Sequence, residues 1–116
     1  MPYMSVYADI EPLRSDVDAM AGITLLEFGA PWCPHCIGVQ PLLAAVLAAH
    51  GDVRHLKIED GPGRALGRSF RIKLWPSVLL LRDGVELGRV VRPESQAEIE
   101  RMFALLWYGL LWYGLL

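Results

Sequence analysis

Three features of this 116-residue chain predict an α/β domain with the element order β-α-β-α-β-α-β-β-α. The run Ile23–Phe28 is almost wholly apolar, as in a strand covered on both faces. A helical pattern follows it, with Leu42, Leu43, Val46 and Leu47 as the buried stripe. Farther on, Asp83-Gly84 separates two β-rich runs, which is a hairpin signal. With 53% of residues hydrophobic and 21% charged, the chain can bury one core of its own, and nothing in it calls for a second domain. A formal net charge of −2 gives no basis for nucleic acid or an anionic membrane as the main partner.

Tyr3 to Tyr7 is expected to form a short edge strand. Ile10 to Met20 carries Leu13, Val17 and Met20 at helical spacing, with Pro12 near its start and Gly22 after its end. The first central strand then ends at a helix that runs to about His50, is stopped by Gly51 and should be kinked by Pro41. Val53 to Ile58 reads as the second central strand. Gly61 to Arg71 reads as a loop and short helix carrying Arg64, Arg68 and Arg71, with Lys73 close behind; such a basic run is most simply a solvated face. Ser77–Leu81 and Val85–Val91 form the hairpin. Pro93-Glu94-Ser95 opens a last helix with Ile99, Met102, Phe103 and Leu106 on one face.

Both cysteines lie in Trp32-Cys33-Pro34-His35-Cys36, where strand gives way to helix. At a helix start, unpaired N–H groups and the positive end of the dipole favour a Cys33 thiolate, while Cys36 lies one turn on, within reach of a small disulfide ring. Cys33 is therefore the candidate nucleophile and Cys36 the resolving thiol of an exchange through a mixed disulfide. Pro34 suits the first helical turn, and His35 is expected to lower the thiol pKa and make the disulfide more oxidising. A structural zinc site would need four ligands, and His35, His50 and His55 with one Cys pair supply no such spacing. An inert disulfide across so short a loop would stabilise little.

The chain resembles the thioredoxin family from about Tyr3 to Trp107. The resemblance rests on Trp32-Cys33-Pro34-His35-Cys36, on Pro41 five residues after the second cysteine, on Trp75-Pro76 and on Asp83-Gly84. It implies a thioredoxin fold, a central mixed sheet flanked by helices, and a protein-disulfide oxidoreductase that passes electrons between protein thiols and disulfides. It also implies a cis Trp75–Pro76 bond beside the cysteines, with Trp32, Trp75 and Pro76 bordering the substrate peptide. The Pro-His dipeptide is similar to that of bacterial periplasmic dithiol oxidases, whereas cytosolic thioredoxins usually carry Gly-Pro. Trp75 stands where relatives mostly place Thr or Val, so it either narrows the groove or merely covers core.

Glu27 shares a strand face with Leu25 and is expected to be buried, where desolvation raises a carboxyl pKa. The family places an acidic residue here, and the resemblance implies that it takes and returns the Cys36 proton; the alternative is simple pairing with His55 or Lys57. His55 stands where relatives carry a partner lysine. No metal or organic cofactor is implied. The expected partners are protein thiols and disulfides and a dithiol-recycling reductase or oxidase. An alternative reading is a redox-sensing interaction module on the same scaffold.

Residues 1–107 are expected to form the domain and 108–116 an apolar extension, because Leu105-Leu106-Trp107-Tyr108-Gly109 recurs as Leu110-Leu111-Trp112-Tyr113-Gly114. The uncharged run from Met102 falls short of the ~20 residues that cross a bilayer, and its period is not helical, so association with a partner or a second copy is the expectation. Asp9, Glu11, Asp16 and Asp18 interrupt the first twenty residues, leaving no apolar h-region. The cytoplasm is the expected compartment, or the periplasm for a chain whose leader was removed.

Overall fold

Four strands form one mixed sheet in the order β2-β1-β3-β4, in a computed structural model that describes residues 2–107. The elements follow as α1 (Arg14–Asp18), β1 (Ile23–Gly29), α2 (Pro34–Ala49), β2 (Arg54–Glu59), α3 (Ala65–Ser69), β3 (Ser77–Arg82), β4 (Val85–Val91) and α4 (Gln96–Phe103). β1 pairs parallel with β2 and antiparallel with β3, and β3 pairs antiparallel with β4. The central strand is buried from Thr24 to Gly29, as its apolar run requires.

Strand alternation divides the core into two layers. Leu25, Val78 and Leu80 meet Val39, Leu43, Val46 and Leu47 of α2 and Ile99, Met102 and Phe103 of α4 on one face. Leu26, Phe28, Leu79 and Leu81 meet Val17, Leu66 and Phe70 on the other. Asp83 and Gly84, at φ 50° and 80°, make the tight hairpin, and the Asp83 carboxylate accepts the Gly22 N–H at 2.7 Å. α2 continues through Pro41. Ser95 caps α4, its hydroxyl accepting the Glu98 N–H at 3.3 Å while the Glu98 carboxylate accepts the Ser95 N–H at 3.2 Å.

Two expectations need correction. Tyr3–Tyr7 is not a strand, so the sheet has four strands among the described residues. The Met4 N–H is spent on the His55 ring, at 2.8 Å, and the first backbone bond to β2 comes only at Ala8, whose N–H reaches the Lys57 carbonyl at 2.9 Å. Polar side chains thus replace the ladder. The first helix is confined to Arg14–Asp18, because Ile10 and Leu13 are 83% and 69% exposed and only Val17 enters the core. The repeated C-terminal run lies beyond the described residues from Tyr108 on. Among the described residues no helix is long and apolar enough to cross a membrane.

Candidate active site

β1 delivers the motif. It ends at Gly29, Ala30 is buried, and Cys33 becomes the N-cap of α2 with extended dihedrals, so the helix begins at Pro34 and Cys36 falls in its first turn. The Cys33 sulfur accepts the Cys36 N–H at 3.4 Å. Both thiols are free; Cys33 is 6% exposed and Cys36 1%. Burial is the main cause that pushes the Cys36 pKa up to about 12, with the hydrogen bond to Cys33 adding to it, so Cys36 stays a thiol at neutral pH.

The space under Cys36 exists because residue 29 is glycine. A Cβ at Gly29 would lie 2.6 Å from the Cys36 sulfur and 3.1 Å from the Tyr7 hydroxyl. Tyr7 packs under the Lys57 ammonium, which sits 4.8 Å from its ring centroid. Burial and then the Glu27 charge raise the Tyr7 pKa, which keeps its phenol protonated. Cys36, Tyr7, Gln40 and Lys57 line a hollow of about 480 Å³ behind the dithiol.

Glu27 is fully buried and held by two donors. Its Oε2 accepts from Gln40 Nε2 at 2.8 Å, and its Oε1 lies 2.8 Å from His55 Nε2. Because His55 Nδ1 accepts the Met4 N–H, the ring hydrogen sits on Nε2 and points at Glu27. Gln40 is saturated: its Nε2 also donates to the Cys36 carbonyl at 2.7 Å, and its Oε1 accepts from Lys57 Nζ at 2.7 Å and the Tyr3 hydroxyl at 2.5 Å. Lys57 is the register neighbour of Glu27 across the parallel pair, yet its ammonium bonds Gln40 rather than the carboxylate. Gln40 therefore ties the buried acid to the turn that carries Cys36.

Trp75 packs against Ala30, Cys33 and Cys36, and the Trp75–Pro76 bond is cis. Its indole N–H donates to Asp60 Oδ2 at 2.8 Å. The ring stands edge-on to Trp32, with centroids 5.6 Å apart. Trp32 is 69% exposed, so its indole belongs to the rim of the dithiol, while the half-buried Trp75 covers Ala30 and the two cysteines. Pro34 and His35 are both exposed on the first turn of α2; the bond to the Cys33 sulfur comes from the Cys36 backbone, and His35 instead lines a hollow with Arg92, Pro93 and Glu94. Among the described residues no cluster of three or more His, Cys, Asp or Glu is arranged to hold a metal ion. Gln40, Tyr7 and Asp60 were not singled out from sequence. Gln40 alone carried a signal, since it lies one helical turn after Cys36 on the same face.

The sequence model of the thioredoxin family matches residues 6–104. The chain belongs to the thioredoxin family. The structure of thioredoxin 2 from Pseudomonas aeruginosa in its reduced form superposes with a TM-score of 0.78 at 53% identity, over 87% of this chain and 94% of that one. A thioredoxin from Mycolicibacterium smegmatis is 29% identical over 78% of this chain and 84% of its own length. A rice thioredoxin of the H2-1 type is 28% identical over 68% of this chain, and the match spans 56% of that relative. As a thioredoxin-family protein the chain is a thiol–disulfide oxidoreductase with a redox-active Cys-x-x-Cys pair, and its fold is the thioredoxin fold expected from sequence.

Proposed function

We propose that this thioredoxin-family chain exchanges disulfides with protein substrates through Cys33 and is released by Cys36. The Cys33 thiolate attacks one sulfur of a substrate disulfide and expels the other as thiolate, leaving a mixed disulfide. Cys36 then gives up its proton and attacks the Cys33 sulfur, which releases the second substrate thiolate and closes the Cys33–Cys36 disulfide. A recycling partner returns two electrons to that disulfide. The observation that carries this division of labour is the contrast between the two sulfurs: one caps a helix, receives an N–H and keeps 6% exposure, the other is 1% exposed with its pKa pushed up to about 12.

A thiol of that kind needs a base at neutral pH. Glu27 is proposed as proton acceptor and donor, supported by its burial, its tie to Cys36 through Gln40 and the charge it exerts at the Cys36 sulfur. Pro76 shapes the peptide site and Trp32 and Trp75 border it; Pro34 and His35 tune the couple. The proposed compartment is the cytoplasm. Equilibration with glutathione tests it and reads the direction of electron flow: about −270 mV fits a cytosolic reductant, and about −120 mV makes the chain a strong oxidant and overturns the compartment.

Turnover tests the exchange itself. The reduced protein should reduce a model protein disulfide catalytically and Cys33→Ser should not; equal rates would refute Cys33 as nucleophile. Association through the repeated C-terminal run is proposed on sequence alone. Sedimentation of the full chain as heavier than a version ending at Tyr108 supports it, and equal mass refutes it.

A further inference from the structure

The geometry points to Arg92 as a specificity residue that favours protein disulfides with acidic side chains flanking the reactive cysteine, an inference that rests on the exchange reaction proposed above. Arg92 follows β4 and adopts φ 50°, in the left-handed region that an arginine seldom occupies. Its N–H donates to the Pro76 carbonyl at 2.9 Å, and its Nε donates to the Trp75 carbonyl at 2.8 Å. Both ends of the residue are thereby pinned to the two residues of the cis step. The residue is thus held at a strained backbone angle at the edge of the site.

The consequence is a positive charge fixed in place beside the dithiol. Trp75, whose carbonyl holds the guanidinium, packs on Cys33, and the hollow of about 290 Å³ that Arg92 lines has His35 of the motif on its wall. Arg92 is exposed and forms no salt bridge among the described residues, which leaves the guanidinium donors beyond Nε to a ligand at that hollow. Glu94 brings one negative charge to the same hollow, but its backbone N–H is engaged by the Glu98 carboxylate and its side chain forms no ion pair with Arg92. Because Nε is already committed, a carboxylate arriving from a substrate meets a planar fork with its direction set, which lowers the ordering cost of the contact. Substrates with acidic residues next to the cysteine gain that contact in the encounter and in the mixed disulfide alike; basic neighbours meet repulsion.

Two synthetic peptide disulfides test the assignment, symmetric dimers differing only in whether Asp-Glu or Lys-Arg flanks the cysteine. The readout is the ratio of kcat/KM for the acidic over the basic peptide, at low and high salt. Wild type should favour the acidic peptide. Arg92→Glu should lower the ratio about tenfold or more, Arg92→Gly, which also relieves the backbone, about fivefold, and Arg92→Lys, which keeps the charge but loses the Nε bond and the planar fork, by less than either; all differences should shrink as salt rises. A ratio that is the same in wild type, Arg92→Gly and Arg92→Glu overturns the proposal. So does an equal loss on both peptides, because that is the signature of an arginine that only braces the Trp75 carbonyl. Failure of wild type to turn over either peptide would refute the exchange reaction instead, so the two failures are distinct.

Discussion

Replacing Glu27 by Gln removes the buried charge while keeping its shape, and its effect can be worked from the site. In the reduced dithiol burial pushes the Cys36 pKa up to about 12; in the mixed disulfide Cys33 no longer adds to that rise, but burial, its largest cause, still keeps Cys36 a thiol at pH 7. Resolution of the mixed disulfide therefore runs through assisted proton removal. Positioned bases are worth about 10²–10⁴ in rate, but two effects reduce the loss here. The Glu27 charge itself raises the Cys36 pKa, so its removal lowers that pKa somewhat, although burial, the larger cause, remains. A high-pKa thiolate is also the better nucleophile once formed.

The expected loss is thus about ten- to a hundredfold in single-turnover release of the substrate thiol at pH 7. The variant rate should climb about tenfold per pH unit above pH 8 and close on wild type near pH 10. Equal rates at pH 7, or a gap that stays constant with pH, would refute the proton role. Stability needs its own measurement. His55 and Gln40 both donate to Glu27, so a Gln amide leaves one donor facing another, and a loss of about 1–3 kcal/mol is expected in urea unfolding.

Three further outcomes follow from the same geometry. The Cys36 pKa is raised in the folded protein, so its stabilising contribution is full below the unfolded thiol pKa and is lost as pH rises from about 9 toward 12; the reduced protein should lose up to about 4 kcal/mol over that window, and Cys36→Ala should flatten the slope, both read by denaturant unfolding against pH. Gly29→Ala drives a methyl into the Cys36 sulfur, and should destabilise by about 1–3 kcal/mol and slow resolution more than the first attack; equal effects on the two steps would count against the close fit. Ser95→Ala removes the α4 cap and should lower stability by about 1 kcal/mol without changing the kcat/KM of exchange.

The site was legible where one residue type at one spacing has one physical use. Cys-x-x-Cys after an apolar strand, Asp-Gly between strands and Pro93-Glu94-Ser95 before an apolar helical face each report their own backbone. The short strand expected at Tyr3–Tyr7 was lost because alternation alone does not say whether a backbone N–H meets a carbonyl or a side chain, and here His55 takes it. The first helix shrank because helical spacing at Leu13 points into solvent. Glu27 was visible from its strand face and its partners in part: of His55 and Lys57, the two the sequence offered, His55 bonds it, while Lys57, its register neighbour, does not and Gln40 supplies the second bond. Asp60 and Arg92 carry no local pattern, since their roles come from the loop that brings Trp75 and Pro76 to the dithiol.

The division between attacking and resolving sulfur is tested most directly by trapping. Cys36→Ser and Cys33→Ser proteins, each reduced, are mixed with an oxidised model protein disulfide, acid-quenched and weighed by mass spectrometry. Cys36→Ser should accumulate a mixed disulfide on Cys33, and Cys33→Ser should accumulate little, because its remaining thiol is buried and protonated. Equal trapping on both, or trapping on Cys36 alone, would contradict the account.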